Sequence, residues 1–197
     1  MERTSVQRLA RILRVMVIII FICNLVAFLA VPIMALATPE LAVAYGVDSL
    51  AYLFGIKEID NDIIYIPFTV MFFASWLVVW EDAYSAVLAV FLWSCGACTA
   101  IILWQGKRVL DTVLIGEPFS VKNAANLKRA AVCCFIISGA ALLRLIWGLV
   151  YYESLRPLLT YNALFVPVFL VGGLLFLVMS ALFRQAAELK AENDLTI

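Results

Sequence analysis

Four runs of this sequence are long and apolar enough to cross a lipid bilayer, and no other feature limits the fold as strongly. A helix rises about 1.5 Å per residue and the hydrocarbon core is about 30 Å thick, so a span needs roughly 20 mostly apolar residues. Val15 to Ala37, Ala83 to Gln105, Ala130 to Tyr152 and Tyr161 to Phe183 satisfy this, with Arg144 the one charge among them. Charged residues make up 14% of the chain and hydrophobic ones 65%, whereas soluble domains are about 25% charged. Backbone groups in hydrocarbon must satisfy one another, which selects helices. The expected fold class is therefore all-α, a polytopic membrane protein with four transmembrane helices.

A fifth uncharged run, Ile63 to Trp80, complicates the count, and basic residues arbitrate. With four spans, Lys107, Arg108, Lys122, Lys128, Arg129, Arg184 and Lys190 share a side with Arg3, Arg8, Arg11 and Arg14. Only Lys57 and Arg156 then fall opposite. Five spans would export the basic 106–129 interval and the tail, against the positive-inside rule. Four spans with both termini cytoplasmic is the expected topology. Ile63–Trp80 then lies in the interface, re-enters the membrane, or extends the second helix outward. Pro67, its aromatic residues and its β-branched bias fit an interfacial or strand-like segment.

The expected organisation is one membrane domain over residues 1–197. It comprises a first span at 15–37, an outer acidic loop and interfacial segment at 38–82, and a second span at 83–105. A cytoplasmic loop at 106–129, spans at 130–152 and 161–183, and a cytoplasmic tail at 184–197 complete it. Within the outer loop, 56–66 resembles two short strands around an Asp-Asn-Asp turn. Although Ala35-Leu36-Ala37 resembles a leader-peptidase site, the apolar run before it exceeds the roughly 7–15 residues of a leader, so it is read as an uncleaved span.

The spans hold few groups capable of chemistry. Asn24 is expected to bond across to another helix, and Arg144 to reach the outer headgroups or pair with Glu81, Asp82 or Glu153. Both are carried forward as intramembrane polar candidates. The five cysteines, Cys23, Cys95, Cys98, Cys133 and Cys134, all lie in apolar segments, and histidine is absent. Cys95-Gly-Ala-Cys98 has C-x-x-C spacing but no second pair, so no disulfide framework, metal or cofactor is expected. Glu81-Asp82 is the nearest approach to a carboxylate pair and reads as a helix boundary. No catalytic residue is assigned, and the chain is expected not to be an enzyme.

What remains is the basic end. Gly116-Glu-Pro-Phe-Ser reads as a turn before a helix beginning at Val121. Ser120 is placed to cap that helix, and Asn123 sits three residues on in a capping-box-like position. Phe119 is left to pack on the membrane surface, on Val109–Ile115, or on the emergent C-terminal helix. These residues, with the C-terminal Leu189, Glu192, Asn193, Asp194, Leu195, Thr196 and Ile197, resemble the G-x-P-F-S…N and L-x-x-E-N-D-L-T-[IV] motifs of the DUF2975 family of small bacterial membrane proteins. The resemblance covers roughly residues 82–197. It implies a four-helix protein of the bacterial plasma membrane with no defined activity. Family genes that often adjoin one for a small helix-turn-helix transcriptional regulator suggest membrane-linked control of transcription.

The expected function is thus a non-enzymatic regulator or scaffold that binds a cytoplasmic partner through the 106–129 loop and the tail. Gly116, Pro118, Phe119, Ser120, Asn123, Glu192, Asp194, Leu195 and Ile197 are the candidate contact residues. The plainer reading is that loop and tail pack on each other and close the bundle. A small transporter, channel or peptide-immunity protein acting as a homo-oligomer is the alternative. Lipid, a small helix-turn-helix regulator and a second copy of the chain are the partners considered, and no direct contact with nucleic acid is expected.

Overall fold

A computed structural model describes residues 2–36, 68–153 and 155–195. The acidic stretch 38–62 and the strand-like reading of 56–66 lie outside them. The described residues form α1 (Glu2–Leu36), α2 (Phe68–Val78), α3 (Ala83–Ile115), α4 (Val121–Tyr152), a 3-10 turn (Arg156–Leu159) and α5 (Tyr161–Leu195), with no strand among them. Helices α1, α3, α4 and α5 are each long and apolar enough to span a bilayer.

These four helices have 35, 33, 32 and 35 residues, so each is about 50 Å long against a hydrocarbon core of about 30 Å. Each therefore overruns the membrane. The 106–129 interval is consequently not a loop: α3 continues through it to Ile115, α4 begins at Val121, and only Gly116–Ser120 is non-helical. Charge ends the apolar run, but it does not end the helix.

Helix α2 corrects the strand-like reading of 68–78. Its 11 described residues reach about 16 Å, too short to span, and among the described residues four helices are long and apolar enough to cross a bilayer. Its aromatic residues have high strand propensity, but that preference reflects packing on a pleated surface and yields to context.

The chain divides into two compact units, residues 28–93 and residues 1–27 with 94–197. In the smaller unit, Val31, Ala35, Val79 and Ala89 form a core on which Leu88, Leu92 and Trp93 pack. The Trp93 ring lies 5.5 Å from Trp76 and 5.8 Å from Trp80. Pro32 sits inside α1, where it has no N–H to give the Phe28 carbonyl one turn earlier. The Trp93 indole N–H donates to that carbonyl at 3.3 Å, replacing the missing bond.

In the larger unit, α4 and α5 pack along most of their length. Gly173 makes this contact close, since a Cβ there would stand 2.8 Å from the Phe135 ring. The Ser138 hydroxyl donates to the Val166 carbonyl at 2.9 Å, beside Pro167. Cys98, Cys133 and Ile137 form a core with Cys95, Ile102 and Phe169 around it. All five cysteines are free thiols; Cys98 and Cys133 serve here as compact packing groups.

Candidate functional site

The turn between α3 and α4 is specified residue by residue. Gly116 has φ +92°, a left-handed conformation that strains any L side chain. Its N–H donates to the Val113 carbonyl at 3.2 Å, and the Glu117 N–H donates to the Thr112 carbonyl at 3.0 Å. This pair of bonds is the Schellman closure, which satisfies carbonyls that a helix end leaves open. Pro118 then prevents continuation. Ser120, extended at φ −141° and ψ 148°, caps α4 by accepting the Asn123 N–H at 3.2 Å.

The Asn123 side chain departs from the capping-box expectation. It does not reach back to the cap; its Nδ2 donates to the Pro118 carbonyl at 2.7 Å and to the Thr112 hydroxyl. That hydroxyl donates in turn to the Val109 carbonyl at 2.7 Å. Asn123 is 0% exposed. It therefore ties the last turn of α3, the turn itself and the first turn of α4 into one network. Sequence reading missed Thr112, whose partner lies across the turn rather than along the same helix.

Helix α5 completes this end. Phe119, 50% exposed, places its ring 5.4 Å from that of Phe183. Of the three surfaces available to Phe119, the C-terminal helix is the one it meets. The Ser180 hydroxyl donates to the Ala124 carbonyl at 2.7 Å, so α5 is held to the first turn of α4 by this bond and to the preceding turn by the Phe119–Phe183 contact. Beyond Phe183, Arg184 Nε donates to Glu188 at 2.9 Å, and Arg184, Gln185, Glu188, Leu189, Lys190, Glu192 and Asn193 are exposed. Asp194 and Leu195 occupy the last turn of α5, and Ile197 lies outside the described residues.

Helix α1 joins the same end through charge. Arg14 Nε stands 2.8 Å from Asp111 Oδ1, with neither atom in hydrogen-bond geometry, so the contact is Coulombic rather than directed. Lys107 reaches the other carboxylate oxygen at 3.4 Å. One turn deeper, Trp104 lies 5.9 Å from Phe21 and carries Lys107 Nζ at 5.1 Å and the Arg108 guanidinium at 5.7 Å from its ring centroid.

The intramembrane polar candidates are not brought together. Arg144 donates to the Asn162 amide oxygen at 2.8 Å, a contact on the facing helix that the sequence reading did not name. Asn24 Oδ1 is buried and accepts no hydrogen bond from the described residues. Asp82 is the boundary residue it was read as: its carboxylate accepts the Ser85 N–H and hydroxyl, each at 2.9 Å. The Ser85 N–H, then its hydroxyl, hold the Asp82 carboxyl below its ordinary value. Among the described residues, no group of three or more His, Cys, Asp or Glu side chains is placed to hold a metal.

Compared with known families, residues 55–197 match the sequence profile described as protein of unknown function (DUF2975). The chain belongs to the DUF2975 family. The match begins well before residue 82, so family membership extends over α2 as well as the α3–α5 hairpins. No curated protein and no solved structure matches this DUF2975 member. In this DUF2975 chain, Gly116, Pro118, Phe119, Ser120 and Asn123 each hold a definite place in the turn, and all but the tail motif is engaged in closing it.

Proposed function

We propose that this protein is a non-enzymatic membrane regulator or scaffold whose basic end faces the cytoplasm of a bacterial cell and presents the last turns of α5 to a cytoplasmic partner. The α3–α4 turn serves as a rigid base in this reading, and the tail is the recognition element. The observation that carries it is the length of α5 past the turn. From Phe183, level with Phe119, the helix runs on to Leu195, about 18 Å. It displays charged side chains and Leu189, which is 56% exposed. A helix with mixed charge and an apolar anchor suits docking in a groove of a protein partner. The surplus of basic residues at this end supports the cytoplasmic placement. A small helix-turn-helix regulator is the partner class implied by the family resemblance.

Photo-crosslinking from positions 189 and 119 in native membranes tests this. The expected result is capture of a small DNA-binding protein from position 189, with position 119 joined chiefly to α5 of the same chain. If position 189 yields crosslinks only within the protein itself, the tail is part of the bundle's closure and the recognition role is wrong.

A further inference from the structure

The contacts between helices fix their relative heights, and those heights do not agree with a flat apolar boundary. Arg14 meets Asp111 and Phe21 meets Trp104, so Lys107 and Arg108 of α3 lie level with Val17 and Ile18 of α1. Those two residues are already inside the apolar run that begins at Val15. Asn123 meets Thr112 and Ser180 meets Ala124, so the same level falls near Leu127 on α4 and Leu177 on α5. The apolar run of α5 continues to Phe183, about 9 Å further. Lys107 and Arg108 thus stand at a depth where α1 and α5 still present hydrocarbon surface, and Lys128 and Arg129 of α4 lie within a turn of it.

Cations at that depth need counter-charge, and among the described residues Asp111 is the carboxylate that Lys107 reaches. Asp111 is shared between Arg14 and Lys107, and Arg108 is turned over the face of Trp104 instead. Trp104 is 43% exposed and flanked by exposed apolar residues such as Ile101, so its ring sits on the lipid-facing side of α3. An indole at the edge of hydrocarbon with two cations on it is the arrangement that receives a lipid phosphate. Acyl chains would lie along α3 below the ring, and the phosphate would lie against the ammonium and guanidinium.

We infer that Trp104, Lys107 and Arg108 form a binding site for an anionic phospholipid, drawn from the leaflet at the basic end of the bundle. The charge favours a headgroup with net negative charge over a zwitterionic one, and the depth favours a lipid over a free anion. The site is separate from the tail and independent of its role.

Native mass spectrometry of the full chain, released from detergent with phosphatidylglycerol or phosphatidylcholine added, reads this directly. The wild type is expected to retain phosphatidylglycerol in preference to phosphatidylcholine. Lys107→Gln and Arg108→Gln should each weaken that retention about five-fold, the effect of removing one cation near a charged lipid surface. Arg184→Gln and Lys190→Gln, made singly on the tail, serve as charge-matched controls, and circular dichroism shows that each variant keeps its helices. Equal retention of the two lipids would overturn the assignment. So would equal loss from the tail controls, or displacement of the lipid by inorganic phosphate at matching concentration, which would indicate a site for a free anion.

Discussion

Replacing Asn123 should loosen the whole α3–α4 turn, because its amide, carried on α4, bonds both to α3 and to the turn. Asn123→Ala removes two hydrogen bonds from a side chain with no exposure. At about 0.5–1.5 kcal/mol each, these contribute roughly 1–3 kcal/mol. The Pro118 carbonyl and the Thr112 hydroxyl lose their partner as well. Against this, Asn123 Oδ1 is buried without a donor in the wild type, and deleting it returns part of that desolvation cost, also about 1–3 kcal/mol. The net expectation is a destabilisation of about 1 kcal/mol. Because the terms offset, the single variant is a weak test, and a double-mutant cycle with Thr112→Val is the strong one. Measured by reversible denaturation in mixed micelles, the pair should couple by at least about 0.5 kcal/mol, as residues sharing one network do. Additivity within experimental error would show that the Asn123–Thr112 bond contributes nothing, and the account of the turn as a single network would fail.

Three further outcomes follow from other parts of the fold. Gly116→Ala meets no atom within 4 Å of the added Cβ, so its cost should be the left-handed backbone alone, about 1–2 kcal/mol in the same denaturation assay, with Gly116→Asn milder. Trp93→Phe should cost about 1–3 kcal/mol by leaving the Phe28 carbonyl without a donor, and most of that cost should vanish in a Pro32→Ala background, where the helix supplies its own N–H. The Asp82 carboxylate binds its partners in the charged form, so its contribution to capping α3 is present above the ordinary carboxyl value near 3.8 and is lost as pH falls through the lowered folded value. Titrated by NMR, the Ser85 amide should shift with a midpoint below 3.8, and a midpoint above it would contradict the cap.

Local signals in the sequence were readable and signals that cross the fold were not. Ser120 announces itself as a cap because its partner is the backbone three residues on, and Gly116 with Pro118 marks a stop for the same reason. The four spans are legible because hydrocarbon imposes one length on every helix that crosses it. Asn123 looked like half of a capping box, since nothing nearby in sequence points to Thr112 across the turn. Arg144 by its charge suggested headgroups or a carboxylate, and its hydrogen bond to the Asn162 amide depends on which helix faces it, which no local pattern announces. The charges of 106–129 suggested a solvated loop, though helix ends are written by backbone chemistry rather than by polarity. One signal was available and unused: a proline inside a span frees the carbonyl four residues earlier, and a donor such as Trp93 must then be sought.

Helix α5 runs without interruption from Tyr161 to Leu195, through its membrane span and out to the tail. Its proline, Pro167, lies near the opposite end, and the stretch beyond it contains no second one. That outer stretch is a stiff lever. On the proposed reading, a turn or slide of α5 inside the bilayer would be carried toward Leu195, and a partner that gripped the tail would pull on the contacts of Ser180 and Phe183. Events in the membrane and binding at the tail would therefore, on that reading, act on one continuous helix, whose stretch from Ser180 to Leu195 holds neither proline nor glycine.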